Sequence, residues 1–95
     1  MPYLKLSTNA KISNESELLK ALSVHIAKET GKPERYVMVE LVENKAMLFS
    51  GTSDPLAYVE CKSIGLSSAQ IKSLAASLSR VLNDKLQITP ERIYI

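Results

Sequence analysis

A short motif occurs once in each half of the chain, and this repeat restricts the folds that the chain can adopt. Residues 33–37 read Pro-Glu-Arg-Tyr-Val, and residues 90–94, 57 positions later, read Pro-Glu-Arg-Ile-Tyr. Residues 3–7 and 58–62 also align, at an offset of 55 positions, and both are strand-like. A helical pattern of apolar residues lies between the two segments in each half. The repeat therefore predicts two strand–helix–strand units related by a pseudo-twofold axis.

The first helix has recognisable signals at both ends. Asn14 followed by Glu17 has the spacing of a capping box. We expect the helix to end near Thr30, because Gly31 can adopt the left-handed conformation and Pro33 cannot continue a helix.

The remaining apolar segments predict a second helix and several strands. Ser67 and Gln70 form another capping-box pattern, and this helix should end near Leu86. We expect strands at residues 2–8, 36–42, 56–64 and 92–95, with a short return strand at 46–49 that makes 36–50 a hairpin. The run 36–42 is apolar at almost every position, which is typical of a strand buried on both faces.

These elements predict an α+β fold in a single domain spanning residues 1–95. Two crossovers between parallel strands give the order βαββαβ, with a pseudo-duplicated, four-stranded mixed sheet and both helices on one face. No third helix remains to cover the other face of the sheet. Since a chain of 95 residues buries a limited share of its surface, we expect self-association to cover it.

Composition excludes several classes of function. The net charge is +2 and the basic residues are dispersed, which argues against a nucleic-acid partner. No apolar run approaches the roughly 18 residues of a membrane span, so no membrane partner is expected. The N-terminus lacks the pattern of a signal peptide, and the single Cys61 excludes an internal disulfide. We expect a cytoplasmic protein, a location that leaves non-classical secretion open.

Pro2 is the candidate catalytic residue. If Met1 is removed, Pro2 becomes a secondary amine at the start of an apolar strand. Burial and a neighbouring cation both disfavour the protonated form of an amine, so its pKa could approach neutrality. The Met-Pro dipeptide alone is more often a plain translation start, so the assignment of Pro2 depends on the rest of the sequence.

Five other residues are candidate binding residues, each with a structural alternative. Lys32 could bind a carboxylate as a point charge, or be a solvated loop lysine. Ser63 and Ile64 end a strand, and backbone N–H groups there could bind an anion. The structural alternative is that Ser63-Ile64-Gly65 is only a strand-to-helix turn, which needs a glycine in any case. Tyr94 lies on the last strand, where tyrosines mostly pack, and Tyr36 begins the central one.

His25 and Cys61 are interpreted as structural residues. His25 lies within the first helix with no metal-ligand spacing around it, so no metal site is predicted. Cys61 lies within a strand and is expected to be a buried, inert thiol. The chain has three glycines and no Gly-rich phosphate loop, and we expect no cofactor.

Taken together, six short motifs resemble the macrophage migration inhibitory factor family of the tautomerase superfamily. They occur in that family's order and spacing over essentially the whole chain: Met1-Pro2, Gly31-Lys32-Pro33, Tyr36, and residues 49–51, 63–65 and 90–95. The resemblance implies a homotrimer of βαββαβ subunits.

The resemblance also implies keto–enol tautomerase activity on phenylpyruvate-like 2-keto acids. Pro2 would be the general base, and Lys32 would both hold the substrate carboxylate and lower the pKa of Pro2. The implied substrate-binding residues are Lys32, Ser63, Ile64, Tyr94 and Tyr36. Of these, the backbone N–H of Ile64 would bind the carboxylate, and Tyr94 would come from a neighbouring subunit.

Two alternatives remain beside the tautomerase. Family members continue beyond the Tyr-Ile strand, so we expect that this chain lacks a C-terminal segment that carries a pocket wall and a strand of the trimer. A retained Met1 or an opened pocket would leave a non-catalytic, cytokine-like trimeric binding or signalling protein on the same scaffold. The element order alone also fits a ferredoxin-like small-molecule regulatory domain.

Overall fold

Two helices and a four-stranded mixed sheet form the fold. The computed structural model describes residues 2–95. The strands are β1 (Tyr3–Thr8), β2 (Met38–Val42), β3 (Ala57–Lys62) and β4 (Ile93–Tyr94), and the helices are α1 (Glu15–Thr30) and α2 (Ser68–Leu86). The sheet order is β2-β1-β3-β4, with β1 parallel to β2, β3 parallel to β4, and β1 antiparallel to β3. The predicted βαββαβ fold is confirmed.

The sheet register confirms the pseudo-twofold repeat. β1 and β3 pair symmetrically about Lys5, which lies opposite Glu60. In each repeat the crossover helix leads to a parallel outer strand: β2 lies beside β1, and β4 lies beside β3. Both Pro-Glu-Arg segments form 3-10 turns that lead into these outer strands, at Glu34–Tyr36 and Pro90–Arg92.

One face of the sheet packs against both helices. Alternate residues of β1 are buried, as expected for a strand with one covered face. The fully buried core side chains come from both repeats: Leu4, Leu6, Leu22, Ile26, Leu78, Leu82 and Ile88. Burying one such side chain stabilises the fold by about 2 kcal/mol. Because both repeats contribute side chains to this core, its burial holds the two repeats together.

The helix ends follow the capping signals. The Glu17 N–H donates to the Asn14 side-chain oxygen over 3.1 Å, and Gly31 caps α1 in the left-handed conformation with φ of 69°. Ser67 and Gln70 form a complete capping box on α2. Within residues 2–95, neither helix combines the length and the apolar character needed to span a membrane.

The hairpin predicted for residues 36–50 is wrong. After β2 the chain crosses the end of β1, because the N–H of Asn44 donates to the Ala10 carbonyl and that of Lys45 to the Thr8 carbonyl. These bonds, of 3.0 and 3.2 Å, direct the chain away from β2. Residues 46–49 therefore form a loop rather than a return strand.

Within a single chain, residues 36–42 are not buried on both faces. β2 is an edge strand, and Met38 is 56 % exposed. On the sheet face opposite the helices, Lys5 lies between Glu40 and Glu60 in register. This charge pattern suits a face that water reaches in the single chain, and its burial by a partner stays a prediction.

Two predicted strand starts are corrected by the 3-10 turns. Tyr36 ends the first turn instead of opening β2, because the Val37 N–H donates to the Glu34 carbonyl. Arg92 likewise belongs to the second turn, so β4 comprises only Ile93–Tyr94. The proline at the start of each segment favours a turn, which the apolar pattern alone does not reveal.

His25 joins the two helices. Its Nε2 lies 2.7 Å from Ser77 Oγ, and that hydroxyl donates to the Leu74 carbonyl. The imidazole is therefore the donor to Ser77, which requires a proton on Nε2. Burial lowers the pKa of His25 and outweighs Glu29, whose carboxylate lies 4.0 Å away.

We expect the free energy of unfolding to decrease as the pH falls through the ordinary His pKa of about 6.5. The pKa of His25 is lower in the folded chain, so protonation favours the unfolded state in that range. Urea unfolding between neutral pH and about pH 5.5 measures this slope. His25→Gln keeps a donor for Ser77 and should show a shallower slope, and equal slopes would contradict the assignment.

Gly31→Ala should destabilise the chain by about 1 kcal/mol, since a residue with a Cβ strains at positive φ. No atom lies within 4 Å of the added Cβ, so backbone strain is the only expected cost. Urea denaturation measures the loss, and Gly31→Asn should lose less because Asn tolerates this conformation. An alanine variant as stable as the parent chain would refute the strained cap.

Candidate active site

Pro2 lies where three strand ends meet. β1 runs parallel to β2 and antiparallel to β3, so the starts of β1 and β2 lie beside the end of β3. Tyr3 pairs with Met38 on one side and Lys62 on the other, which brings Pro2 beside Ser63. The Pro2 carbonyl accepts the Met38 N–H over 3.0 Å, and the proline side chain is fully buried.

Lys32 and Tyr36 belong to the connection that leads into β2 at this same end of the sheet. The cap at Gly31 positions Lys32, whose N–H donates to the Ala27 carbonyl over 3.2 Å. The Lys32 side chain is partly buried. Tyr36 is exposed, with the Arg35 guanidinium 4.8 Å from its ring centroid.

Ser63 and Ile64 follow β3 beside Pro2. The Ser63 hydroxyl oxygen is buried and has no hydrogen-bond partner within residues 2–95. Ile64 is 80 % exposed, and Gly65 turns the chain towards α2 with φ of 81°. A buried hydroxyl without a partner is costly, which singles out Ser63 as a group that could donate to a ligand.

Tyr94 lies at the opposite end of the sheet from the other predicted site residues. It pairs with Tyr58, and Tyr58 pairs with Ser7. Ser7 is five residues along β1 from Pro2, a separation of about 16 Å at 3.3 Å per residue. The structure therefore brings Pro2, Lys32, Ser63, Ile64 and Tyr36 to one end, and Tyr94 to the other.

Tyr94 belongs to an aromatic cluster on the surface, which we call the ring cluster: Phe49, Tyr58 and Tyr94. The Tyr94 ring meets Phe49 edge to face at 6.5 Å and lies 5.8 Å from Tyr58. Together with Leu48, which is 72 % exposed, these rings line a surface pocket of about 290 Å³. Tyr94 itself is 61 % exposed, so this end of the sheet presents an apolar surface.

Arg92 holds the loop that carries Phe49. Its guanidinium donates to the backbone carbonyls of Phe49, Thr52 and Asp54 over 2.5, 3.1 and 2.8 Å, and its Nε to that of Pro55 over 3.4 Å. It also lies 5.4 Å from the centroid of the Phe49 ring. The sequence alone predicts no role for Arg92, although its repeated Pro-Glu-Arg context is a visible signal.

Three titratable groups outside the candidate site have shifted pKa values. Cys61 is half-buried rather than buried as predicted, and this burial raises the pKa of its thiol. Glu43, beyond the far end of β2, accepts the Ile12 N–H over 2.9 Å, which lowers its pKa. The neighbouring Glu15 has a raised pKa because it shares a hydrogen bond with Glu43. Within residues 2–95, no three His, Cys, Asp or Glu side chains form a metal site.

Comparison with known proteins decides the family. The sequence profile of macrophage migration inhibitory factor matches residues 1–95. The chain belongs to the macrophage migration inhibitory factor family. The macrophage migration inhibitory factor of Meriones unguiculatus is 41 % identical over 97 aligned positions, which cover all of this chain and 84 % of that protein. The homolog from Brugia malayi is 40 % identical with the same coverage.

Solved structures of the macrophage migration inhibitory factor family share the fold. The homologue from Prochlorococcus marinus matches with a TM-score of 0.94 at 34 % identity, covering 98 % of this chain and 83 % of that one. The protein from Trichinella spiralis matches with a TM-score of 0.91 at 30 % identity, covering 98 % of this chain and 84 % of that one. The resemblance inferred from the six motifs is therefore confirmed, and the chain has the tautomerase fold.

Ser63→Ala should leave the free energy of unfolding unchanged or raise it by up to about 1 kcal/mol, because it removes a buried hydroxyl without a partner. Ser77→Ala is the matched control. Ser77 is buried and bonded to His25 and Leu74, so its removal should cost about 1 kcal/mol. Urea denaturation compares the two variants, and equal losses would show that Ser63 is satisfied in the folded chain.

Proposed function

We propose that this chain is a keto–enol tautomerase acting on phenylpyruvate-like 2-keto acids, with Pro2 as general base after Met1 is removed. The observation that carries the proposal is the position of Pro2, between the start of β2 and the end of β3, beside Ser63. Membership of the macrophage migration inhibitory factor family supports it. No cofactor is needed, since the reaction only moves a proton within the substrate.

The environment of Pro2 favours a neutral amine. Removal of Met1 makes the proline nitrogen a secondary amine, on a ring that is fully buried in the chain that carries Met1. Burial disfavours the protonated amine, and the positive charge of Lys32 at the same end of the sheet acts in the same direction. Both effects lower the pKa of the amine towards the working pH, where a general base is most efficient.

The proposed reaction is an isomerisation that leaves the enzyme unchanged. The Pro2 nitrogen takes the proton from the carbon next to the keto group, and the C–H electron pair becomes the C=C bond of the enol. The carbonyl π pair moves to oxygen, which then accepts the proton from Pro2. In the opposite direction Pro2 takes the hydroxyl proton and returns it to carbon.

The substrate carboxylate would be bound beside Pro2. Lys32 supplies a positive charge, and the Ile64 N–H and the Ser63 hydroxyl supply hydrogen-bond donors. The buried Ser63 oxygen without a partner supports this role, since a substrate carboxylate would satisfy its hydrogen. Tyr36, exposed two residues before β2, would line the mouth of the pocket.

Tyr94 can contribute only from a second protomer. Its distance of about 16 Å along the sheet excludes it from the Pro2 pocket of its own chain. We therefore propose a homotrimer in which the ring cluster of one protomer faces the Pro2 pocket of the next. The exposed Leu48 and the open edge of β2 offer apolar contact and backbone hydrogen bonds for such a closed ring.

The test compares processed wild type with Pro2→Gly in the ketonisation of enol hydroxyphenylpyruvate. Intact mass must first show that Met1 is absent, because a Met1-Pro2 peptide bond leaves no basic nitrogen. We expect kcat/KM to fall at least about a hundredfold, the usual contribution of a general base. Equal rates for the two proteins would refute the proposal and leave the non-catalytic binding or signalling protein as the alternative.

Lys32→Gln tests carboxylate binding separately. We expect KM to rise about tenfold, in line with the loss of one charge-assisted hydrogen bond. Lys72→Gln, an exposed change of the same charge on α2, should leave KM unaltered. If both variants raise KM equally, net charge rather than a Lys32 contact would explain the effect.

A further inference from the structure

We propose that Arg92 is a positioning residue for the active site of the neighbouring protomer, because it holds the Phe49 loop against β4 and so sets the direction of Tyr94. This inference rests on the proposed function, which places Tyr94 in a neighbour's pocket. Arg92 touches no substrate in this scheme. It acts through the ring cluster.

The Arg92 guanidinium binds backbone carbonyls of this loop that have few hydrogen bonds within the loop itself. In the segment 44–56, the only backbone pairing within the loop is the exchange between Phe49 and Thr52, at 3.0 and 3.1 Å. Arg92 adds the bonds to the carbonyls of residues 49, 52, 54 and 55 described above. Hydrogen bonds from a charged donor are stronger than neutral ones, so one side chain organises the whole turn.

Asn9 holds the other side of the same loop. Its side-chain nitrogen donates to the Ser53 carbonyl over 2.8 Å, and its oxygen accepts the Leu56 N–H over 3.0 Å. Asn9 therefore attaches the loop to the end of β1, whereas Arg92 attaches it to the 3-10 turn that leads into β4. Only the Arg92 attachment includes Phe49, the residue whose ring meets Tyr94.

Tyr94 needs this support because β4 is short. The strand pairs with β3 at two positions only, Ile93 with Ala57 and Tyr94 with Tyr58. The Tyr94 side chain is exposed, so its direction depends on the rings of Phe49 and Tyr58. Fixing Phe49 through its backbone and its ring face therefore fixes the edge against which Tyr94 packs.

The equivalent arginine of the first repeat has no such role. Arg35 is exposed and lies over the ring of Tyr36, and its side chain makes no hydrogen bond within residues 2–95. The fold itself thus does not require an arginine at this position to bind a loop. The additional contacts of Arg92 occur only in the half that carries Tyr94.

Arg92→Met and Arg92→Lys test the role, with Arg80→Met as the matched control on an exposed site of α2. We expect Arg92→Met to raise KM on the order of tenfold, since small displacements of a binding group weaken substrate positioning. Arg92→Lys should be intermediate, because an ammonium group cannot reach all four carbonyls. The pH profile of kcat should be unchanged, because Arg92 acts on the position of Tyr94 and leaves the surroundings of the Pro2 amine as they are.

Mixed trimers test whether Arg92 acts on a neighbour. Arg92→Met and Pro2→Gly chains are refolded together at equal concentration. Every pocket is defective in a trimer of either variant alone. In a mixed trimer, an intact pocket forms where an Arg92→Met protomer supplies Pro2 and its neighbour, a Pro2→Gly protomer, supplies Tyr94. Random mixing should make about one quarter of the pockets wild type, so activity should rise above that of the two separate variants. If Arg92 acted on the pocket of its own protomer, mixing would not raise the activity.

Hydrogen exchange provides a readout independent of activity. The amides of Phe49 and Thr52 should exchange at least about tenfold faster in Arg92→Met, while those of β1 should not change. Three outcomes would overturn the role: an unaltered KM in Arg92→Met, no recovery in mixed trimers, or loss of the trimer by light scattering in both Arg92 variants. An inactive wild type would instead refute the proposed function, and this inference with it.

Discussion

The antiparallel pairing of β1 with β3 is the interaction on which the rest of the structure depends. It joins the two repeats at the centre of the sheet, where Lys5 lies opposite Glu60, and it brings the apolar faces of both strands under the helices. Because the pairing is antiparallel, the start of β1 lies beside the end of β3, and the start of β3 lies beside the end of β1. The neighbourhood of Pro2 and Ser63 follows directly from this geometry.

The same pairing separates the two halves of the proposed site. It places Tyr58 opposite Ser7, and Tyr94 beside Tyr58, at the far end from Pro2. No rotation of a tyrosine side chain spans about 16 Å, so a single protomer cannot unite Pro2 with Tyr94. An active site that uses both residues must be shared between copies of the chain, and the exposed ring cluster provides the surface for that contact.

Local sequence signals predicted most of the fold. They failed where residues far away in sequence determine the path of the chain. The capping patterns at Asn14 and Ser67 act within a few residues, and the structure confirms both. The predicted hairpin was wrong because the path of residues 44–55 is determined by the carbonyls of Thr8 and Ala10, at the end of β1, and by Arg92. All three residues are far away in sequence. Likewise, the apolar composition of β2 indicates a strand but does not reveal that it lies at a sheet edge.

The candidate site shows the same division. The sequence motifs predicted Pro2, Lys32 and Ser63 as site residues. The burial of the Ser63 hydroxyl without a partner is a property of the folded chain, which no motif indicates. The two Pro-Glu-Arg segments form the same turn, yet Arg35 covers one ring while Arg92 binds a loop. A duplicated backbone thus supplies two equivalent ends of one sheet, and their side chains differ: the buried Pro2 lies at one end and the ring cluster held by Arg92 at the other.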